Sequence, residues 1–441
     1  MSFNVSILLK TKSQRAIYSF RTIFLDILGF DSIEFFIDSD LFLKNKGVKI
    51  SYDIYLQDVP YLASGTNLLY ESTINDLKPE DVGYELDLKC FYRHSDLRSL
   101  LPFDFPAMAF WLLTRYEEYQ TFQPDQHGRF PAKQSLAYQN NFLDMPLIDL
   151  WALELKEKLY SFYPESAFPK TASYTFQPTF DIDYAWAYRN KSFWRTSGAF
   201  LRDFIRFDFA KLSERAAVLA GKREDPYFTF SIIDEMHQAT SKPIFFWLLG
   251  DYGKYDKNTH FKNSAFRKLI ESISLKQDVG IHPSYASNEK PNGYLNELTR
   301  LEEICKNKIS KSRQHFLKIK LPNTYKRLLQ TAIRDEYSMG YADVPGFRAS
   351  IARSYNWYDL SEEIETKLRI HPFMIMDVTL NVYGKMGEYE AIETSKKIIE
   401  HCKKVGGELI TIWHNNSLCE KENWKGWTKT YQTIVEFAQN K

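Results

Sequence analysis

The chain has 441 residues, too many for one ordinary hydrophobic core and about right for two domains. With 44% hydrophobic and 26% charged residues and a net charge of +1, it has a soluble globular composition. No global field draws in nucleic acid or an anionic membrane, although a local patch stays possible. Cys90, Cys305, Cys402 and Cys419 lie far apart with no CxxC spacing, which argues against a disulfide framework and a thiolate zinc site.

The first residues, "MSFNVSILLKTKSQRAIYSF", lack the charged-then-apolar pattern of a secretory signal, and no apolar run reaches the roughly 18 residues of a spanning helix. A cytoplasmic protein without a transmembrane segment is expected. In residues 1–167 the runs "NVSILLK", "DSIEFFIDS" and "VKISYDIYL" read as strands. "FPAMAFWLLTRYEEY" (105–119) and "MPLIDLWALELKEKLYSFYP" (145–164) read as amphipathic helices, with the turn-rich "PDQHGRFP" (124–131) between them. This half is expected to be an α+β domain. His127 in the turn-rich stretch is read as an ordering loop residue. The stretch "YPESAFPKTASYTFQP", rich in Pro, Ser and Thr, marks a boundary near residue 168.

Across 168–441 the rhythm changes. Strand-like runs such as "YTFQPTFDIDYAW", "KPIFFWLLGD", "DVGIHPSY", "RQHFLKIKL" and "ELITIWHN" alternate with helical runs, among them "AFRKLIESISLKQ", "GYLNELTRLEEICKNK" and "YEAIETSKKIIEHCKKVGG". That alternation implies a parallel sheet or barrel.

The ends of these runs carry polar residues. In "PTFDIDYAW", Asp181 and Asp183 are two apart on one strand, so both point the same way. Two nearby carboxylates repel unless a cation or a shared proton relieves them, and one simple division makes one a metal ligand and the other a general base. Apolar runs also deliver His282, Arg348, Asp377 and His414, and "RQHFLKI" presents His315 between Arg313 and a strand-like run. In α/β barrels the chemistry sits at the C-terminal strand ends. Two carboxylates also suggest a glycosidase, but acids on one strand face do not oppose each other across a bond.

The order "TFDID", "GIHPSYAS", "GFRAS", "ELITIWH" resembles the successive motifs of the polysaccharide deacetylase family (NodB homology, carbohydrate esterase family 4) over roughly 170–441. The first half, with "FWLLTRYEEY" and "DQHGRFP", resembles an uncharacterised domain that precedes such domains in bacteria of the Bacteroidetes type. The resemblance implies a distorted (β/α) barrel of about seven strands and a divalent metal, commonly zinc. It implies hydrolysis of acetyl groups on N-acetylated (or O-acetylated) sugars, with a carbohydrate as the partner and no nucleic acid. Matched motif by motif, Asp181 resembles the base, Asp183 a metal-binding acid and His282 the first metal histidine. Arg348 resembles the arginine that orients the base, and His414 the histidine that protonates the leaving group. Asp377 joins the catalytic set as a strand-end acid.

The family's second motif carries H-x-x-x-H, but the fourth residue after His282 is Ala286. Zinc in a catalytic site takes three protein ligands, and Asp183 and His282 supply two. Three possibilities follow: His315 is the third ligand, an oxygen of Ser284, Tyr285 or Ser287 substitutes, or the metal is lost. A metal-independent C–N hydrolase and a non-catalytic glycan-binding protein are the alternatives to the deacetylase.

Overall fold

The computed structural model describes residues 2–76, 78–238, 242–288, 290 and 292–440. In the first half, β1 (Asn4–Leu9), β2 (Ser32–Phe36), β3 (Val48–Tyr52) and β4 (Tyr61–Leu62) form one sheet in the order β2-β1-β3-β4. All its pairs are parallel. A short antiparallel hairpin, β5 (Gly83–Glu85) and β6 (Leu88–Cys90), stands apart. Within the four-stranded sheet the first three strands alternate with helices. The helices Gln14–Arg21 and Ser39–Lys44 carry the chain back across the sheet, and parallel neighbours need such crossovers.

The expected helix 105–119 is shorter. Asp104 caps it by accepting from the Ala107 N–H, and Pro106 sits in its first turn, where a missing N–H costs nothing. It ends at Leu113 because Arg115 turns left-handed (φ 54°) to meet Glu117 and Glu118.

The second half builds β7 (Thr175–Ile182), β8 (Ile244–Trp247), β9 (Asp278–Ile281), β10 (Lys311–Ser312), β11 (Asp335–Glu336), β12 (Tyr355–Asp359), β13 (Ile364–Ile370), β14 (Ile375–Met376) and β15 (Glu408–His414). They form a nine-stranded sheet in the order β12-β13-β11-β10-β9-β8-β7-β15-β14, parallel except for β12 with β13. The run 364–376 touches both ends of the parallel series. His371 N–H donates to the Glu336 carbonyl (2.8 Å) and Phe373 N–H to Met339 (3.1 Å), after which Met374 N–H donates to Ile410 of β15 (3.1 Å).

Side chains alternate along these strands. Phe180, Ile182 and Trp413 join the main core under the helices, with Trp413 against Tyr431 of the last helix, Trp427–Gln439 (4.4 Å between rings). Phe246, Tyr337, Phe373, Ile410 and Ile412 form a second, smaller cluster on the other face. Gly280 makes room for it, since a Cβ there would stand 2.5 Å from Phe246 Cε1. Gly406 (φ 59°) ends the helix Glu388–Lys404 where a Cβ would collide with the Ala172 carbonyl.

The main core is continuous across both halves: Tyr18 packs on Tyr358 (4.9 Å), and the buried Asp149 pairs with Arg353 (2.9 Å). Two helices, Phe193–Ile205 and Phe209–Leu219, follow β7 as a hairpin, capped by the side chains of Ser192 and Asp208. No helix among the described residues is long and apolar enough to cross a membrane.

Candidate active site

β7 ends at Ile182, so Asp181 is its penultimate residue and Asp183 lies one residue beyond it. Both acids reach one histidine. His282 Nε2 is 3.7 Å from Asp181 Oδ2 and 3.4 Å from Asp183 Oδ1. His282 immediately follows β9, and its Nδ1 lies 2.7 Å from the Arg313 carbonyl. A carbonyl only accepts, so Nδ1 carries a proton there and Nε2 is the ring nitrogen that faces the acids.

His315 approaches from the next strand. The strand expected through "RQHFLKIKL" is confined to Lys311–Ser312. The chain then turns at Phe316 (φ 60°), which places His315 beyond a strand end. Its Nδ1 faces Asp256 Oδ1 (3.0 Å) and its Nε2 faces Asp183 Oδ2 (3.4 Å). Asp183, His282 and His315 thus bring one ligand atom each within 4.8 Å of one another. Asp183 Oδ1 and His282 Nε2 are buried with no hydrogen-bond partner among the described residues. One carboxylate with two oriented imidazoles is a donor set that fits a divalent transition metal of the zinc type.

The oxygen alternatives are turned elsewhere. Ser284 Oγ bonds Glu297, Ser287 Oγ donates to the Ser284 carbonyl (2.7 Å), and the Tyr285 ring packs on Tyr255 (4.4 Å).

The charges reinforce one another. Burial alone would raise the Asp183 carboxyl, but His315, with His282 and His414, holds it well below the carboxylate range. Burial depresses His315, yet Asp183 and Asp256 push it up to about 9. His414, the last residue of β15, is also opposed by burial, but Asp377 together with Asp183 and Asp181 raises it to about 10. Its Nδ1 lies 2.9 Å from Asp377 Oδ1, and its backbone N–H donates to Asp377 Oδ2 (2.8 Å). Its Nε2 stands 3.9 Å from Asp183 Oδ2. Asp377, just past β14, therefore acts on the site through His414.

Arg348 does not pair with Asp181. It lies in the loop between β11 and β12, where its guanidinium forks onto Glu118 (2.7 and 2.9 Å) and donates to the Gly340 carbonyl. Glu118 is buried beside Arg115 and needs that second cation. The arginine on Asp181 is Arg313 (Nη1–Oδ1 2.9 Å), which is fully buried, also holds Thr179 Oγ1 (2.7 Å), and stacks over Phe246 (4.4 Å). Its only signal was its place in "SRQHF", two residues before His315. Asp256 gave no signal, since it lies in an irregular loop. Asp251 is largely exposed and pairs with Arg300 (3.0 Å), away from the cluster.

The first half contributes too. A cavity of about 130 Å³ over the cluster is lined by Asp181, Asp183, His282, His315, His414 and also Arg129. Asp125 fixes Arg129 through Nε (2.7 Å), and Arg129 donates to the Phe316 carbonyl (2.8 Å) and the Tyr383 hydroxyl (3.3 Å). His127 packs against Phe316 (4.8 Å) and orders that loop.

Residues 5–164 match a family described as a family of unknown function (DUF7033). No curated protein matches the chain. Among solved structures, a putative polysaccharide deacetylase from Mycobacterium smegmatis is similar at 12% identity and a TM-score of 0.39, covering 62% of this chain and 86% of that one. A polysaccharide deacetylase from Bacillus cereus is similar at 11% identity and a TM-score of 0.31, covering 60% and 86%.

Proposed function

We propose that the protein is a metal-dependent carbohydrate deacetylase that removes acetyl groups from N-acetylated (or O-acetylated) sugars of a glycan or glycan precursor. One observation carries this: Asp181 held by Arg313 and His414 held by Asp377 flank the same cluster of Asp183, His282 and His315. A glycan-binding protein has no use for a matched base and acid, and a glycosidase needs carboxylates across a bond.

Asp183, His282 and His315 would hold the ion, with zinc the best match to these donors. Bound there, it supplies Lewis-acid polarisation of the acyl carbonyl. Asp181 takes a proton from the attacking water, and Arg313 keeps that carboxylate ionised and aimed. His414, protonated and oriented by Asp377, gives a proton to the leaving amine or alkoxide as the C–N or C–O bond breaks. Water and acetylated sugar become acetate and free sugar, and proton uptake by Asp181 balances proton loss from His414. Arg129 narrows the cavity from the first half and gives it a hydrogen-bonding wall.

The sheet is taken as the wall of the distorted (β/α) barrel expected from the sequence. The double contact of the run 364–376 and the enclosed cluster around Phe246 support this. A division into 1–167 and 168–441 is supported by the extent of the family match in the first half.

The test is acetate release from panels of N-acetylated amino-sugar oligomers and O-acetylated sugars. Release that a chelator abolishes and zinc restores is expected. A zinc-loaded protein that releases no acetate from either panel would overturn the proposal.

A further inference from the structure

The hairpin that follows β7 plays no part in the chemistry above, and its surface is unlike the rest of the molecule. We infer that helices Phe193–Ile205 and Phe209–Leu219 form a docking element that seats the protein on an anionic lipid bilayer. This stands independently of the reaction.

The first observation is inverted burial. In the helix Phe193–Ile205 only the charged Asp203 is buried, held by Arg215. The apolar side chains point outward: Phe193 is 75% exposed, Trp194 81%, Leu201 61%, Phe204 58% and Ile205 63%. Phe207 at 77% and Phe209 at 57% continue the patch through the turn. At 100° per residue, Trp194, Leu201, Phe204 and Ile205 fall on one side of the helix, so the patch is contiguous. Soluble proteins seldom leave such a patch in water, and it marks a surface that something covers.

The second observation is charge. Residues 189–223 hold nine Lys or Arg against three Asp or Glu, a local +6 within a chain of net +1. Arg195 and Arg202 lie on the flank of the apolar stripe, and Arg206 stands exposed at its end. Beside them runs a groove of about 940 Å³ whose lining sets Lys191, Arg195, Arg202, Lys211, Arg215, Arg223 and Lys421 against Asp208, Glu214 and Glu422. The cations there are crowded: burial, then Arg195, brings the Lys191 ammonium down to about 8 despite the nearby Asp225. An exposed aromatic and aliphatic face flanked by arginines is the pattern of a helix lying in the plane of a membrane interface. The apolar side chains enter the acyl boundary, and the cations meet lipid phosphates.

The charge also argues against a second copy as the cover. A two-fold contact through this face would set +6 against +6, which like-charge repulsion opposes. The groove reaches Tyr184, the neighbour of Asp183, so docking would bring the candidate active site to the lipid surface.

The test is co-sedimentation of the full chain with vesicles of phosphatidylcholine alone and of phosphatidylcholine containing about one third phosphatidylglycerol. Partitioning onto the anionic vesicles is expected to exceed that onto the neutral ones by about tenfold or more and to weaken with added salt. The double variant Phe204→Glu, Phe207→Glu should lose about tenfold or more of that binding with an unchanged melting temperature. Arg206→Glu should lose several-fold. Equal binding to both vesicle types, no binding to the anionic ones, or full binding by the double variant would overturn the inference. So would a wild-type dimer in light scattering that the double variant dissolves, if no vesicle binding accompanies it.

Discussion

At the candidate active site, Asp181, Asp377 and Arg313 are buried and each meets a charged or hydrogen-bonding partner. On the hairpin that follows β7, Arg206 and eight large apolar side chains, from Phe193 to Leu219, stand in water. Both arrangements are unfavourable taken alone. A buried charge is costly unless it is paired, so its presence signals a geometry that chemistry needs. An exposed apolar face gains nothing inside the chain, so its presence signals something outside it. Under the proposals made above, the two regions answer to different partners: one to a reacting bond, the other to a surface.

The sharpest way to break that contrast is at the base. Asp181→Asn keeps the shape and removes the proton acceptor. Turnover should fall by about 10⁴-fold, while metal content, which depends on Asp183, His282 and His315, stays. Activity assays beside elemental analysis check both halves of this.

The next effect is on stability. Arg348→Ala strips Glu118 of its bidentate partner in a buried site. It should cost about 3–5 kcal/mol, read as a large drop in melting temperature. Had Arg348 served the base, turnover would fall with stability unchanged. Arg313→Met strips the buried Asp181 of its cation, so it should lose turnover as well as stability, whereas Arg348→Ala should lose mainly stability.

A smaller effect is a shift along the pH axis. His414 must be protonated to act as an acid, so the rate falls as pH rises through its pKa. Asp377 is the main group raising that pKa, ordinarily 6.5, to about 10. Asp377→Asn should therefore move the alkaline limb of the pH–rate profile to lower pH. A limb that does not move would mean that another group donates the proton.

The smallest effect is on the hairpin's own contribution to folding. Phe207→Ser removes a ring that is 77% exposed and should change stability by no more than about 0.5 kcal/mol. Chemical denaturation measures it. A cost of several kcal/mol would mean that the ring is packed in solution and that the contrast drawn here is false.

Much of the site was legible because an apolar strand that ends in an ionisable residue is a costly pattern. "TFDID", "GIH" and "ITIWH" announced Asp181, Asp183, His282 and His414 in this way. His315 was legible as a residue but not as a position, because "HFLKIKL" alternates like a strand while the chain turns at Phe316. Arg348 shows another limit. A motif gives the residue type, but a guanidinium goes to whichever carboxylate the fold buries beside it, here Glu118. In the first half the runs 4–9, 32–36 and 48–52 were visible as strands, but their parallel pairing depends on crossover paths that local pattern does not encode. That the apolar side of 193–205 faces out shows only in its burial.

The central claim is that Asp183, His282 and His315 hold a catalytic divalent metal. Elemental analysis of protein purified without chelator, as wild type and as His315→Ala, tests it most directly. About one equivalent of zinc or a similar metal in the wild type, lost in His315→Ala, is the predicted result. A wild type that stays metal-free after reconstitution, or a variant that keeps its full equivalent, would contradict it.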